Sequence, residues 1–235
     1  MKVDIVPCYT ELDREEISNK VVIVIDVLRA TSTIVTAIKN ECSYVIPVES
    51  IEYAKKFKVV LEEGCLLGGE RNAVKIDGFD FSNSPLEYSK EKIKDKSIIL
   101  TTTNGTRAIK KSDTAFKVLI GCFLNSSKVI DRAISFDRDI VLVNAGTNGK
   151  FSMDDFICSG YLVKLMKDKV KDVELTDIAY TAYYMVENEE NFVKTIRSAA
   201  HYRRMMDLGL EADFDYCMKK NIIDIVPEYK DGKIS

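Results

Sequence analysis

The chain has 235 residues, 46% of them hydrophobic and 30% charged, with a net charge of −3. This length and apolar content suit one α/β domain over residues 1–235, or two intimately packed subdomains. The acidic balance excludes the broad basic surface that nucleic-acid binding requires, but not a local arginine cluster that binds a small anion. No segment approaches the roughly 20 apolar residues of a membrane span. MKVDIVPCYTE at the start has no long apolar leader. The six cysteines lie far apart and form no C-x-x-C pair. The expectation is a cytoplasmic protein with reduced thiols and neither a membrane nor a nucleic-acid partner. A homodimer is the default oligomer.

In chain order, a strand is predicted at Val3–Val6. Val21–Ile25 is wholly apolar and reads as a buried parallel strand, followed by polar DVLRATST and helix-spaced IVTAI. A strand at Tyr44–Val48 precedes a helix at Ile51–Glu63. Gly68–Ser84 has glycines, two asparagines and no clean period, and irregular loops of that length are often functional. It runs into Ser84-Pro85-Leu86-Glu87, where a capping serine, a first-turn proline and a glutamate predict a helix start. The strand at Ile98–Leu100 leads into TTTNGTRAIKK. A strand at Ala115–Ile120 precedes a helix at Ser126–Ser135. The strand at Ile140–Val143 leads into NAGTNGKFSMDDF and a helix at Ser152–Asp168. From Asp172 onward the chain reads as mostly helical, with helices at Asp177–Val186 and Val193–Leu208 and Gly209 as a stop. Three strand–loop–helix units predict an α/β fold. Its sheet is largely parallel or mixed, flanked by helices, with strand order open and ligand chemistry at the strands' carboxyl ends.

Four polar stretches precede predicted helix starts: Ala30-Thr31-Ser32, Asn83-Ser84, Asn104-Gly105-Thr106 and Gly149 to Ser152. Exposed amides at a helix start bind anions. Capping alone is the plainer account of any one of them. Arg29, Arg71 and Arg107 lie close to such sites, and arginine forks suit phosphate and other tetrahedral oxyanions. Asp26 directly follows the apolar strand and precedes Arg29, which favours a metal ligand, nucleophile or base over a turn cap. Glu70, between Gly69 and Arg71, can reach Mg²⁺ or merely pair with its neighbour. Asp80 reads as a weaker candidate, a buried partner for an arginine. Ser152 with Asp155 fits a capping box, which alone accounts for Asp155, while Asp154 is an acidic first-turn residue. His201, the only histidine, reads as structural or solvent-facing.

The P-loop and dinucleotide-binding glycine patterns are absent, as is a nucleophile elbow for a serine triad. The haloacid-dehalogenase pattern fails at its second aspartate, because position 28 is Leu28 and no carboxyl stands there to protonate a leaving group.

VVIVIDVLRATSTI, GGER, GFDFSNSP, TTTNGTRAI and NAGTNGKFSMDDF, in this order and continuing to VPEY at Val226–Tyr229, resemble the 2-phosphosulfolactate phosphatase family across nearly the whole chain. The resemblance implies a Mg²⁺-dependent phosphatase that converts 2-phospho-3-sulfolactate to 3-sulfolactate and phosphate, as in coenzyme M biosynthesis. The family's distinctive stretches fall here on Asp26, Arg29, Glu70, Arg71, Asn83, Ser84, Asn104, Gly105, Thr106, Arg107 and Asp155.

These residues suggest Mg²⁺ held by Asp26 and Glu70 with help from Asp155. Arg107 and the Asn104–Thr106 amides then face the phosphoryl group, with Asp26 either its nucleophile or a ligand or base for attacking water. Arg29, Arg71 and the Asn83-Ser84 stretch are left for the other anions of the substrate. The alternatives are a non-catalytic small-anion-binding protein and a phosphatase for a related phosphorylated hydroxy acid.

Overall fold

The computed structural model describes residues 1–61, 64–187 and 192–235. Its strands are β1 (Lys2–Val6), β2 (Val21–Ile25), β3 (Tyr44–Pro47), β4 (Cys65–Arg71), β5 (Val74–Lys75), β6 (Ser97–Thr101), β7 (Lys117–Gly121), β8 (Ile140–Asn144), β9 (Glu174–Leu175), β10 (Glu228–Lys230) and β11 (Lys233–Ile234). The α-helices are α1 (Ala30–Lys39), α2 (Ile51–Leu61), α3 (Lys90–Ile93), α4 (Gly105–Lys111), α5 (Ser126–Ile134), α6 (Met153–Lys169), α7 (Asp177–Glu187), α8 (Phe192–Arg197), α9 (Ala200–Asp207) and α10 (Glu211–Cys217). The fold is mixed α/β, as expected. The strands form one sheet in the order β5-β4-β6-β3-β11-β10-β7-β2-β8-β1-β9.

All five residues of β2 are buried, because it runs parallel between β7 and β8 and is covered on both faces. Alternate residues divide the sheet's two faces. Val22, Val24, Ile98, Leu100, Val118, Ile120, Val141 and Val143 point to one face and pack around α1 and α4 through Ile34, Val35, Ala108 and Ile109. On the other face, Ile23, Ile25, Leu119, Ile140 and Leu142 meet α5, α6 and α7. Ile46, Leu67 and Ile99 form a separate layer with Ala54 of α2. The opening turns of α1 and α4 are thereby held side by side.

Several elements differ from expectation. Gly68–Ser84 is not wholly irregular, since Gly68 to Arg71 complete β4, which pairs with β6 and turns back through β5. Ser84 begins only a 3-10 turn, Pro85–Glu87. The Ser84 hydroxyl donates to Asp213 at 2.6 Å instead of capping, and Glu87 accepts from the Ser82 amide and hydroxyl. Val193–Leu208 divides into α8 and α9, which stops before Gly209. Residues 62 and 63 of the predicted second helix lie outside the described residues. The tail is not purely helical. β10 and β11 form a hairpin inserted between β3 and β7, antiparallel to both.

Among the described residues no helix is long and apolar enough to cross a membrane. The six cysteines are buried thiols.

Candidate active site

The loops after β2, β4, β6 and β8 converge on a cavity of about 280 Å³. Asp26, Arg29, Glu70, Asn83, Asn104 and Asp155 line it, as do Leu28, Thr103, Gly146, Thr147, His201 and Arg204. Arg71, Ser84, Gly105, Thr106 and Arg107 are not part of this wall.

Asp26 leaves β2 and turns back under the start of α1. One oxygen, Oδ1, accepts from the Ala30 amide at 3.1 Å, while Thr31 Oγ1 accepts from the Asp26 amide and donates to its carbonyl. The other oxygen, Oδ2, has no hydrogen-bond partner among the described residues. It lies against Gly105, where a Cβ would come within 2.5 Å of both Asp26 Oδ2 and Ala30 Cβ. Glycine is therefore required at 105 by close approach rather than by turn geometry. Replacing Gly105 with alanine overpacks this contact by about 1–3 kcal/mol. The melting temperature should fall by roughly 2–10 °C; an unchanged melt would show that the two helix starts separate freely.

Glu70, at the end of β4, accepts from the Thr103 amide at 2.7 Å and the Ala73 amide at 2.6 Å, so it joins two loops. Asp155 does the same between β2 and β8, accepting from the Val27 amide at 2.9 Å and the Gly146 amide at 3.0 Å. The predicted capping box is therefore not formed. Ser152 makes no side-chain cap bond, because Asp155 is drawn to tertiary partners and the Ser152 hydroxyl donates to Asp154.

Burial pushes the Asp26 carboxyl up to about 6, and the charges of Glu70 and Asp154 add to the rise. The Ala30 amide and His201 act against it. Asp155 is raised well above the usual range by burial, then by Asp154 and Asp26. Burial alone would raise Asp154 too, but the charge and hydrogen bond of His201, with the Ser152 hydroxyl, hold it below its ordinary value.

The arginines divide by position. Arg29 is buried, ion-paired with Asp213 of α10, and donates to the Ala73 carbonyl at 2.9 Å. Arg71 turns aside to the Glu70 carbonyl, Thr101 Oγ1 and the Glu49 carbonyl. Arg107 is exposed on α4. Thr106 exchanges hydrogen bonds with Thr102, so its amide already has a partner. Asp80 meets Lys58 and the Leu67 amide instead of an arginine.

Arg204 and His201 are among the wall residues that the sequence reading did not place in the site. Arg204, on α9, makes no ion pair among the described residues. His201, one turn earlier, is neither a core filler nor solvent-facing. It forms part of the wall and bonds Asp154. No local motif marks them, because α9 reaches the site only through tertiary packing. The single histidine was the one available signal.

Asn83 Oδ1 and Thr103 Oγ1 are buried without a hydrogen-bond partner. Such atoms are costly unless a ligand or water satisfies them. With Asp26 Oδ2 they make a polar lining able to take a small, highly oxygenated ligand.

A sequence profile described as 2-phosphosulpholactate phosphatase matches residues 7–232. A protein of Clostridium beijerinckii named "probable 2-phosphosulfolactate phosphatase" is 51% identical, with 100% of this chain and 99% of the relative covered. Relatives of the same name from Clostridium acetobutylicum and Clostridium kluyveri are 48% and 50% identical, covering 100% of this chain and 100% and 97% of their own lengths. Extending from before β2 to the hairpin that closes the sheet, this likeness includes every cavity-lining loop, and the chain belongs to the 2-phosphosulpholactate phosphatase family.

Proposed function

We propose that this protein is a Mg²⁺-dependent phosphoric monoester hydrolase that converts 2-phospho-3-sulfolactate to 3-sulfolactate and phosphate, in the cytoplasm, as in coenzyme M biosynthesis. One observation carries the chemistry. Buried carboxylates, including one with an uncommitted oxygen, share a small cavity with two arginines and two unpartnered polar atoms.

The donor set suits Mg²⁺. No three His, Cys, Asp or Glu side chains among the described residues enclose an ion by themselves. Mg²⁺ is commonly held by one or two carboxylates, with water and substrate oxygens completing its shell. Asp26 Oδ2 and Glu70 would hold it, and Asp155 keeps the two flanking loops in register. A cation there would neutralise charge developing on the phosphoryl oxygens.

The chain's own groups do the rest. Arg204, with Asn83, Asn104 and Thr103, offers donors to the phosphoryl, carboxylate and sulfonate oxygens. Arg29 supplies positive charge already balanced by Asp213, so it shapes the wall more than it attracts an anion. Asp26 acts at phosphorus, either as the attacking group or on the attacking water.

The test is phosphate release by purified protein from 2-phosphosulfolactate and from 2-phospholactate, with Mg²⁺ and with chelator. Metal-dependent release that prefers the sulfonated ester is expected. Binding of the ester without release would make the protein a small-anion binder. Equal rates on both esters would place its specificity elsewhere among phosphorylated hydroxy acids.

A further inference from the structure

Hydrolysis of an alkyl phosphate leaves a strongly basic alkoxide, and Leu28, two residues after Asp26, offers no carboxyl to protonate it. We propose that His201 is the general acid that protonates the leaving C2 oxygen, and that Asp154 is its positioning residue. This assignment rests on the phosphatase reading above.

The geometry is that of an oriented imidazole. His201 Nδ1 lies 3.2 Å from Asp154 Oδ2 and 3.4 Å from Thr147 Oγ1. Asp154 is 1% exposed, its second oxygen accepts from Ser152, and it has no other ion-pair partner among the described residues. A buried carboxylate is costly unless paired, so this one is committed to the ring. Ser152 Oγ and Thr147 Oγ1 are 2.9 Å apart and brace the pair from behind. With Nδ1 so engaged, the ring's other nitrogen, Nε2, has no partner among the described residues, and the ring lines the same cavity as Asp26 and Glu70. A carboxylate on one nitrogen fixes the ring's orientation and leaves the opposite N–H for a reactant.

The charged groups around the ring favour its protonated form. Burial alone would lower its pKa, but the charge and hydrogen bond of Asp154, then the charge of Asp26, raise it above 6.5 against the opposing charge of Arg29. Arg204 and Asp155 share the same wall.

In the step, an oxygen bonds to phosphorus as the bond from phosphorus to the C2 oxygen breaks. The electron pair stays on that oxygen and the Nε2 proton joins it, giving the free hydroxyl and a neutral ring. Of the two protons of the water consumed, one remains on phosphate and the other restores the ring.

The experiment compares wild type with His201→Asn and Asp154→Asn on 2-phosphosulfolactate, 2-phospholactate and p-nitrophenyl phosphate, whose phenolate leaves without a proton. His201→Asn retains a donor near the Nδ1 position but lacks the opposite nitrogen. Its kcat on the alkyl esters should fall by about 100-fold or more. On p-nitrophenyl phosphate kcat should stay within about threefold, as a lost proton donor alone requires. Wild-type kcat on an alkyl ester should decline as pH rises past the pKa of His201, and this alkaline limb should vanish in His201→Asn. Asp154→Asn should shift the limb to lower pH. Equal losses on alkyl and aryl esters, or no loss on either, would overturn the assignment. If His201→Asn melts below the assay temperature, His201→Gln takes its place with the same expectations. Wild type inert toward all three esters would instead defeat the phosphatase reading, and the general acid with it.

Discussion

Asp26→Asn should abolish phosphate release and, in chelator, make the protein more stable. The carboxylate is 8% exposed and sits among other acids, with its titration raised from 3.8 to about 6. A group whose folded pKa is raised binds its proton more tightly when folded, so its ionisation opposes folding as pH increases. The penalty is absent below 3.8, grows between 3.8 and about 6, and is fully present above that. At pH 7 to 8 it amounts to about 3 kcal/mol. Asparagine keeps an oxygen for the Ala30 amide but carries no charge. Thermal melts in chelator should therefore show Asp26→Asn above wild type at pH 7.5 and level with it near pH 3.5. Turnover should fall by about 1,000-fold or more if Asp26 acts at phosphorus. Turnover near wild type would remove Asp26 from the chemistry. A lower melting temperature at pH 7.5 would show that its charge is compensated in the folded chain.

Asp213→Ala should produce the largest loss of stability. Asp213 and Arg29 are 4% and 3% exposed, and Asp213 also accepts from Ser84. Removing the carboxylate strands a buried guanidinium and a buried hydroxyl. Breaking such a pair from one side costs about 3–5 kcal/mol. In a chain of this size the melt should drop by roughly 6–20 °C. The pair need not be favourable as a whole, since its desolvation cost offsets much of its attraction. Arg29→Met with Asp213→Leu should accordingly recover most of what Asp213→Ala loses. A drop below about 2 °C for the single variant would mean that Arg29 finds another partner or water.

How much could be read in advance varied with how local the cause was. Val21–Ile25 was legible to the residue, because an unbroken β-branched run ending at an aspartate admits one interpretation. β4 was hidden by its glycines. Cys65-Leu66-Leu67 is too short an apolar run to mark a strand alone, and Gly68-Gly69 reads as loop until neighbours are present. A Cβ on Gly69 would lie 2.0 Å from the Thr101 carbonyl oxygen, so β4 and β6 can pair there only without one. In the site, Asp26, Glu70 and Asp155 were legible as acids next to strands or helix starts. Their partners were not, since Asp155 reaches back 128 residues to the Val27 amide. Arg71 and Arg107 are close to polar loops in sequence, yet neither lines the cavity. Arg204 and His201 arrive from a helix whose own pattern says nothing of where it packs.

The hairpin of β10 and β11 also governs the order in which the molecule can be assembled. β3 and β7 are separated in the chain by barely 70 residues, but nothing joins them directly in the sheet. The strands that bridge them are Glu228–Lys230 and Lys233–Ile234, and Ile234 is fully buried. A nascent chain on the ribosome can therefore build two half-sheets, but each keeps an open edge until residue 234 has emerged. Such edges invite pairing with other chains. A translation pause anywhere between β7 and the hairpin, within α7 as much as just before residue 228, would prolong that exposure.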